Sequence, residues 1–311
     1  MSRPRVAVVG PTCTGKTRLA VGLALRRQPA ELLNADSRQL RSGTAVATFR
    51  PTPEELQGVR CHLLDLAPPG AEYTVAQYAT AARAALVEVD RRGALPIVVG
   101  GSGLYVRALV DGLDFGGAPP DPAARSARTA AAASPQGVRA LAAELTRRDP
   151  DAAATIDLRN PRRVIRALEI LDARPGPLRD ARSQPATGGW VLIGLDTVPA
   201  THRRWIEERV SRIFRDGSLL REIDGLLAAG VSSEAIAGSG IGYAEGLALR
   251  AGEVDAEEAV ARTVQRTRRY AKAQRTWFRR DQRIRWLEAD SSHAGALADE
   301  AAEVIAAVAV R

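Results

Sequence analysis

Short, uninterrupted apolar runs recur along the first two thirds of the chain. They lie at residues 6–9, 95–99 and 190–195, and residues 31–35, which end at Asp36, resemble a further strand. Strands buried on both faces of a parallel sheet carry continuous apolar runs, whereas half-exposed strands alternate apolar and polar positions. The runs therefore predict a parallel sheet that is covered on both sides.

Helical patterns separate these predicted strands. Helices are predicted at residues 16–27, 75–92 and 104–110, while residues 40–60 lack periodicity and are rich in Gly and Pro, which indicates a loop with one short helix. Strands that alternate with helices through short turns are typical of an α/β core with helices on both faces of the sheet.

The pattern changes near residue 114. Residues 114–122 are rich in Gly and Pro and are predicted to be a linker, and residues 122–183 show only helical patterns. Because the strand pattern resumes at residue 190, the helical block is predicted to be an insertion between two strands of one sheet. The predicted domains are an α/β core, residues 1–113 with 190–311, and a helical insertion, residues 122–185. Beyond the insertion, the patterns predict helices at residues 199–216, 218–229 and 255–280, a strand at 284–287 and a last helix from 294.

The first strand leads into a full match to the phosphate-binding loop pattern GxxxxGK[ST]: Gly10, Pro11, Thr12, Cys13, Thr14, Gly15, Lys16 and Thr17. Glycines let such a loop curl until its N–H groups point inward, and the next helix adds the positive charge of its N-terminus. Lys16 is predicted to reach the outer phosphate and Thr17 to join the shell of a Mg²⁺ ion. The predicted fold class is thus α/β, a P-loop NTPase-like parallel-sheet core with an α-helical insertion domain.

This loop indicates a di- or triphosphate ligand, as in ATP-binding and other nucleotide-binding proteins, but it does not show hydrolysis. A nucleotide hydrolase usually has an apolar strand that ends in an acid and orders the metal water. Asp36 and Asp65 are candidates, but the strand at 95–99 ends in Gly-Gly-Ser-Gly. No motif for a nucleotide base is evident, so an ordinary kinase or NTPase fits only in part.

The net charge of +8 suggests a polyanionic partner, nucleic acid first, with a surface of solvated arginines as the alternative. Residues 259–280 contain eight basic residues and no acid. Helical spacing predicts that four of these share one face: Arg268, Lys272, Arg275 and Arg279. Tyr270 and Trp277 lie on another face, so the helix suits phosphate contact with base stacking, or a solvated basic face above an aromatic core stripe.

The cysteine content and the length of the apolar runs bear on the cellular location. Two cysteines are too few for a disulfide framework, and no apolar run approaches the ~20 residues of a membrane-spanning helix. The chain enters its first strand almost directly after Met1, unlike an ordinary signal peptide. We therefore expect a cytoplasmic protein without membrane association, and nothing in the sequence requires more than a monomer.

Six motifs, in their order and spacing, resemble those of the bacterial tRNA dimethylallyltransferases over nearly the whole chain: residues 10–17, 34–39, 62–65, 100–105, 163–169 and 268–279. Members of that family move a five-carbon prenyl group from dimethylallyl diphosphate to the exocyclic amine of the adenine next to the anticodon of tRNA. The resemblance implies that Lys16, Thr17 and Mg²⁺ hold a diphosphate leaving group rather than ATP.

The resemblance also implies the remaining site residues. Asp36 is the implied general base, and Ser102 stands where the family has a Thr that touches the target nucleotide. From the residues alone, Asp36 could equally cap the next turn or hold a metal water, and Ser102 could cap a helix. The implied tRNA contacts lie after the second strand, in the insertion and in the C-terminal helix: Asp36, Ser37, Arg38, Gln39, Ser102, Arg125, Arg162, Arg163, Arg166, Lys272, Gln274, Arg275, Trp277 and Arg279. The insertion is thereby expected to grip the anticodon stem while the core does the chemistry.

Some positions depart from the family pattern. Arg41 replaces a Tyr, residues 47–51 read Ala-Thr-Phe-Arg-Pro instead of Gly-Thr-Ala-Lys-Pro, and Ala273 replaces an Arg. An arginine expected on the helix after residue 200 is replaced by Trp205. The Gly-Tyr pair that ends at Tyr243 also lacks the basic neighbours of many members. These departures are expected to affect the acceptor more than the donor.

Three alternatives follow. A prenyltransferase acting on free adenine nucleotides has a similar phosphate loop, but it needs neither a long helical insertion nor an Arg-rich C-terminal segment. A tRNA-binding relative without catalysis is disfavoured by the intact Lys16, Thr17 and Asp36. A small-molecule kinase is disfavoured by the lack of a nucleotide-base motif.

Overall fold

A sheet of six parallel strands lies at the centre of the α/β core. The strands are β1 (Arg5–Val9), β2 (Ala30–Asn34), β3 (Cys61–His62), β4 (Leu95–Gly100), β5 (Trp190–Asp196) and β6 (Arg285–Glu288). Their order across the sheet is β3-β2-β4-β1-β5-β6. The connection that leaves β1 leads to β2, towards one edge of the sheet. The connection that leaves β4 leads to β5, towards the other edge. The strand order therefore reverses between the neighbouring strands β4 and β1. In open α/β sheets, ligands collect at the carboxyl ends of the strands at such a reversal.

Helices complete the described part of the chain. They are α1 (Lys16–Arg26), α2 (Pro53–Leu56), α3 (Val75–Arg91), α4 (Gly103–Val110), α5 (Pro122–Ala131), α6 (Pro135–Arg148), α7 (Pro150–Thr155), α8 (Pro161–Ala173), α9 (Pro199–Arg215), α10 (Ser218–Ala228), α11 (Ser233–Ser239), α12 (Tyr243–Arg250), α13 (Ala256–Phe278) and α14 (Ala294–Ala309). The computed structural model describes residues 5–113, 121–173, 176–178, 189–289 and 294–309.

Both faces of the sheet are buried. Val6 and Val8 pack with α1 and α14 on one face, while Ala7 and Val9 pack with α3 and α4 on the other. All four side chains are 0% exposed. Full burial of alternate residues on opposite faces explains why this strand appears in the sequence as an unbroken apolar run.

The described residues fall into two compact units, one within residues 1–110 and 187–311 and the other within residues 111–186. Helices α5 to α8 form the smaller unit around a core that includes Leu141, Leu145, Val164 and Leu168. Residues 114–120 of the predicted linker and residues 179–185 of the predicted insertion lie outside the described residues. Among the residues that are described, no helix has both the length and the apolar character needed to cross a membrane.

The predicted fold class is confirmed, with three elements that the patterns missed. The edge strand β3 is only two residues long and has no apolar run of its own. Helices α11 and α12 have seven and eight residues and lie in a stretch with glycines at positions 238, 240, 242 and 246, which obscures a helical period. Helix α12 packs beside α10 and α13, and α11 packs against α10 and α12, so burial stabilises helices that are too short to be stable alone.

Candidate active site at the carboxyl edge of the sheet

The phosphate loop connects β1 to α1. Gly15 is the N-cap of α1 and has a left-handed backbone with φ of 84°, which glycine adopts without strain. Cys13 is also left-handed, with φ of 63°, which is uncommon for a residue that has a side chain. Because no side chain caps the first turn of α1, the loop has the form of an anion-binding helix N-terminus.

Lys16 is held inside this loop. Its Nζ donates to the carbonyl oxygen of Pro11 at 2.6 Å, and Thr14 Oγ1 donates to the same oxygen at 2.9 Å. Burial lowers the pKa of Lys16 to about 8; the nearby Asp36 opposes this shift, and Arg209 adds to it. A bound anion would favour the charged ammonium, so the loop is arranged to gain from binding negative charge.

A cleft of about 840 Å³ opens over the phosphate loop. Lys16, Thr17 and Asp36 line it together, as do residues that follow β2 and residues of α9. Ser102 is not part of this lining, although it bonds to the residue next to Asp36. Asp65, the other acid considered, forms an ion pair with an arginine outside the lining. The cleft therefore places Lys16, the Thr17 hydroxyl and the Asp36 carboxylate around a single space, which Glu55 and Glu208 also line.

One wall of the cleft is basic, and the sequence analysis missed it. Helix α9 contributes Arg204, Arg209, Arg212 and Arg215 to the lining. The guanidinium carbon of Arg209 lies 4.0 Å from the centre of the Phe49 ring, within cation–π range. Trp205 lies on the same wall, so its presence does not remove arginine from the cleft. The spacing along α9 was the available signal, but arginine is too common in this chain for that spacing to stand out.

Asp36 is positioned by Asn34 at the end of β2. The Asn34 side chain donates to the Leu63 carbonyl oxygen at 3.1 Å and accepts from the Asp36 N–H at 3.2 Å. Asp36 Oδ1 accepts from the Arg38 N–H at 2.9 Å. The carboxylate thus caps its own turn and lines the cleft at once, so the capping role and a chemical role are compatible.

Ser102 connects the β4–α4 loop to the segment after β2. Its Oγ accepts from the Ser37 N–H at 2.9 Å and donates to Ser37 Oγ at 3.0 Å. Tyr270 of α13 lies near Ser102 and Asp36; burial raises the pKa of Tyr270 to about 12, and Asp36 adds to the shift. The phenol therefore stays protonated at neutral pH. The sequence singled out Tyr270 only as an aromatic residue on the helix, not as a neighbour of the site.

The rest of the motif after β2 divides between the cleft and the surface. Gln39 lines the cleft, and its Nε2 donates to the carbonyl oxygens of Thr48 and Phe49 at 3.2 and 3.0 Å. Arg38 is exposed and donates to the Gly238 carbonyl oxygen at 3.0 Å. Of these two predicted tRNA contacts, only Arg38 presents its side chain at the surface.

Gln274 is buried, with 5% of its surface exposed. Its Oε1 accepts from the Thr12 N–H at 2.8 Å, and its Nε2 donates to the Gly101 carbonyl oxygen at 2.9 Å. Both polar atoms of the side chain are engaged within the protein. The predicted contact between Gln274 and tRNA does not agree with this position.

The predicted basic face of α13 is smaller than the sequence suggests. Arg275 binds Asp196 through two hydrogen bonds of 2.8 and 2.7 Å, and Arg279 reaches the same carboxylate at 3.2 Å. The neutralising acid lies on β5, so an inspection of residues 259–280 alone does not reveal it. Arg275 is half-buried and held by this ion pair, which argues against its predicted role as a tRNA contact.

Lys272 and Trp277 remain at the surface of α13. Lys272 is exposed and Trp277 is 36% exposed. Both line a groove of about 400 Å³ whose other members are Arg269, Ala273, Thr276 and Arg280. The groove combines positive charge with an aromatic ring, as a single-stranded nucleic acid surface does.

In the smaller unit, the predicted arginines separate into two pairs. Arg125 and Arg166 both bind Glu169, at 2.6 and 3.2 Å. Burial alone would raise the pKa of Glu169, but hydrogen bonds from both arginines hold it below its usual value. Arg162 and Arg163 are exposed on α8. The exposed pair is available to a partner, whereas the other two arginines stabilise a buried acid.

The fold and the cleft define a parallel α/β protein with a basic site at the carboxyl edge of its sheet. The sequence model of the IPP transferase family matches residues 39–281. The chain is 44% identical to the tRNA dimethylallyltransferase of Corynebacterium efficiens over 289 residues, which cover 92% of this chain and 94% of that protein. It is 43% identical to the tRNA dimethylallyltransferase of Thermobifida fusca, covering 92% and 90% of the two chains. The chain therefore belongs to the IPP transferase family.

Solved structures agree with this assignment. The tRNA isopentenylpyrophosphate transferase of Bacillus halodurans is 34% identical and superposes with a TM-score of 0.69, covering 98% of this chain and 97% of the other. A eukaryotic dimethylallyltransferase acting on tRNA shares the fold, with a TM-score of 0.80 at 24% identity, over 97% of this chain and 78% of the other.

Proposed function

We propose that this chain transfers a dimethylallyl group from dimethylallyl diphosphate to the exocyclic amine of the adenine next to the anticodon in tRNA. The observation that carries the proposal is the shared cleft, in which Lys16 and Thr17 of a phosphate loop lie with the carboxylate of Asp36. The family membership and the names of the similar proteins support the choice of donor and acceptor.

The reaction breaks the bond between the prenyl carbon and the diphosphate oxygen, and it forms a bond between that carbon and the adenine nitrogen. The bonding electron pair leaves with the diphosphate, so negative charge grows there and positive charge grows on the allyl group. Lys16, the N–H groups at the start of α1 and Arg209 stabilise the departing charge. Asp36 accepts the proton that the amine loses.

Mg²⁺ is part of the proposal. The described residues contain no group of three or more His, Cys, Asp or Glu that could hold a metal ion by themselves. A single hydroxyl, that of Thr17, together with diphosphate oxygens and water, is a ligand set that Mg²⁺ accepts. When bound, the ion would neutralise charge on the leaving group. All of these groups come from one chain, so we propose that the enzyme acts as a monomer. We also propose that it is cytoplasmic, as the low cysteine content suggests.

The proposed tRNA surface uses the residues that remain exposed. On α13 these include Lys272 and Trp277, and on α8 they are Arg162 and Arg163. Arginine and lysine suit backbone phosphates, and an exposed indole suits an unstacked base. We propose that the helical insertion, residues 122–185, binds the anticodon stem. A mononucleotide acceptor would need neither surface.

A transfer assay tests the proposal. The protein is incubated with labelled dimethylallyl diphosphate and Mg²⁺, and either unmodified tRNA with adenine next to the anticodon or AMP is offered. Label on tRNA is the expected result. Label on AMP alone would show a prenyltransferase of free nucleotides, and label on neither would favour a tRNA-binding protein without catalysis.

Two substitutions separate the role of Asp36 from general damage. Asp36→Asn should abolish transfer and preserve tRNA binding, because it removes the base while keeping the shape of the side chain. Asp224→Asn is the matched control, since Asp224 lies on α10 outside the cleft and pairs with Arg250. Full activity of Asp36→Asn would refute the assignment of the base.

A further inference from the structure

The peptide groups on either side of Thr12 are held from two helices. Gln274 of α13 accepts a hydrogen bond from the Thr12 N–H at 2.8 Å. His202 of α9 is 4% exposed, and its Nε2 lies 2.8 Å from the Thr12 carbonyl oxygen. A carbonyl oxygen only accepts, so Nε2 carries the proton and donates. The variable part of the phosphate loop is thus fixed by side chains that lie far away in the sequence.

The orientation of His202 is itself fixed. Its Nδ1 lies 2.9 Å from Arg275 Nη2, and because a guanidinium only donates, Nδ1 must be the acceptor. Arg275 is in turn held by Asp196 through two hydrogen bonds. Burial lowers the pKa of His202; the bond to Thr12 opposes this shift and Arg275 adds to it. The imidazole is therefore neutral, in a single tautomer that donates to the loop.

The contact from His202 acts on the peptide that precedes a strained residue. The Thr12 carbonyl and the Cys13 N–H belong to one planar peptide group, so fixing the oxygen also fixes the direction of the N–H. Cys13 has φ of 63°, a conformation that persists only when surrounding contacts maintain it. The contact from His202 is well placed to maintain it.

Gln274 also ties the phosphate loop to the loop that carries Ser102. Its Nε2 donates to the Gly101 carbonyl oxygen, and the approach is so close that a Cβ at Gly101 would lie 2.1 Å from Nε2. One amide side chain thereby joins the loop after β1 to the loop after β4. The two loops hold the proposed donor site and a residue beside the proposed base.

We propose that His202 and Gln274 are positioning residues that hold the two peptide groups flanking Thr12 in the conformation that binds diphosphate. The identity of the ligand rests on the proposed function, but the effect on the loop does not. Neither residue touches the reacting atoms. Gln274 lies on the buried face of α13 and contacts the phosphate loop, whereas Lys272 on the same helix is exposed and belongs to the proposed tRNA surface.

The test compares two glutamines of α13. Gln274→Leu removes both hydrogen bonds, while Gln265→Leu makes the same change at an exposed position. His202→Leu removes the donor to Thr12, and His202→Gln places an amide N–H near the position of Nε2. Each variant is measured for binding of inorganic diphosphate with Mg²⁺ by calorimetry, for KM of dimethylallyl diphosphate, and for tRNA affinity by filter binding.

Each of Gln274→Leu and His202→Leu removes one hydrogen bond to the phosphate loop, so both should bind diphosphate up to about tenfold more weakly and raise KM for the donor to a similar extent. Affinity for tRNA should stay within about twofold, Gln265→Leu should match the wild type, and His202→Gln should recover most of the loss. If His202→Leu does not fold, the comparison of Gln274→Leu with Gln265→Leu is sufficient for the test.

Unchanged diphosphate affinity in Gln274→Leu would overturn the proposal. So would equal losses of diphosphate and tRNA affinity, because general destabilisation affects both. A wild type that binds diphosphate but transfers no prenyl group would refute the proposed function and leave the binding comparison intact.

Discussion

Binding of dimethylallyl diphosphate is expected to weaken as the pH rises above 8, because Lys16 then loses its proton. Burial sets the pKa of this lysine at about 8 in the free protein. The negative charge of the ligand favours the ammonium, so we expect the pKa in the complex to rise from about 8 towards the ordinary value of 10.5. The complex therefore binds more protons than the free protein between these two values, and affinity falls as the pH rises through this window.

The magnitude follows from the two pKa values. Below pH 8 the free lysine is largely protonated and affinity is nearly constant. Above it, each pH unit costs about tenfold in affinity, or about 1.4 kcal/mol, until the pKa of the complex is reached. Between pH 7 and pH 9 the dissociation constant should rise by about tenfold. The ligand contributes little to this change, because the last ionisation of a phosphate group lies at a pKa of about 6.

Calorimetry without tRNA, in buffers of different ionisation enthalpy, measures both the affinity and the protons taken up. Lys16→Met should bind weakly at every pH and show no slope in this range. Lys272→Met is the control, since Lys272 is the other lysine of the chain and lies exposed on α13. A wild-type affinity that is constant from pH 7 to 9, or a slope that survives in Lys16→Met, would refute the reasoning.

Three other outcomes are expected. Replacing Arg162 and Arg163 together by Ala should reduce the salt dependence of tRNA affinity by about two units of log–log slope, and an unchanged slope would show that neither neutralises a phosphate. Tyr270→Phe should lower kcat several-fold with little change in KM for the donor, because it removes the hydroxyl beside Ser102; an equal rise in KM would contradict this. Asp196→Leu should lower the free energy of unfolding in urea by about 3 kcal/mol, because it leaves the charge of Arg275 unpaired, and a loss under 1 kcal/mol would show that the ion pair is solvated.

The sequence was sufficient for the parts of the site that depend on strand ends. Lys16 follows β1 and Asp36 follows β2, and parallel strands place their carboxyl ends along one edge of the sheet. Their common position in the cleft is therefore a consequence of the strand pattern. The missing elements were β3, which has only two residues, and α11 and α12, which are short and lie in a glycine-rich stretch.

Pairings between distant parts of the chain were beyond sequence reasoning. Helical spacing put Arg275 on a basic face, but Asp196, seventy-nine residues earlier, neutralises it. Arg125 and Arg166 likewise both serve Glu169. A helical period identifies which residues share a face, but it does not identify which other element packs against that face.

Two departures from the family pattern, Phe49 and Trp205, lie in the cleft that holds the proposed donor site. Phe49 stands where the family usually has Ala, and its ring lies against Arg209 at 4.0 Å. Trp205 stands where an arginine was expected, and both aromatic residues line the same cleft as Lys16. A guanidinium held over a ring loses less conformational freedom when it meets an anion than one in open solvent. We infer that Arg209, held over Phe49, compensates for the arginine missing at position 205, whereas Ala273, another departure, lies in the exposed groove of α13 with Lys272 and Trp277.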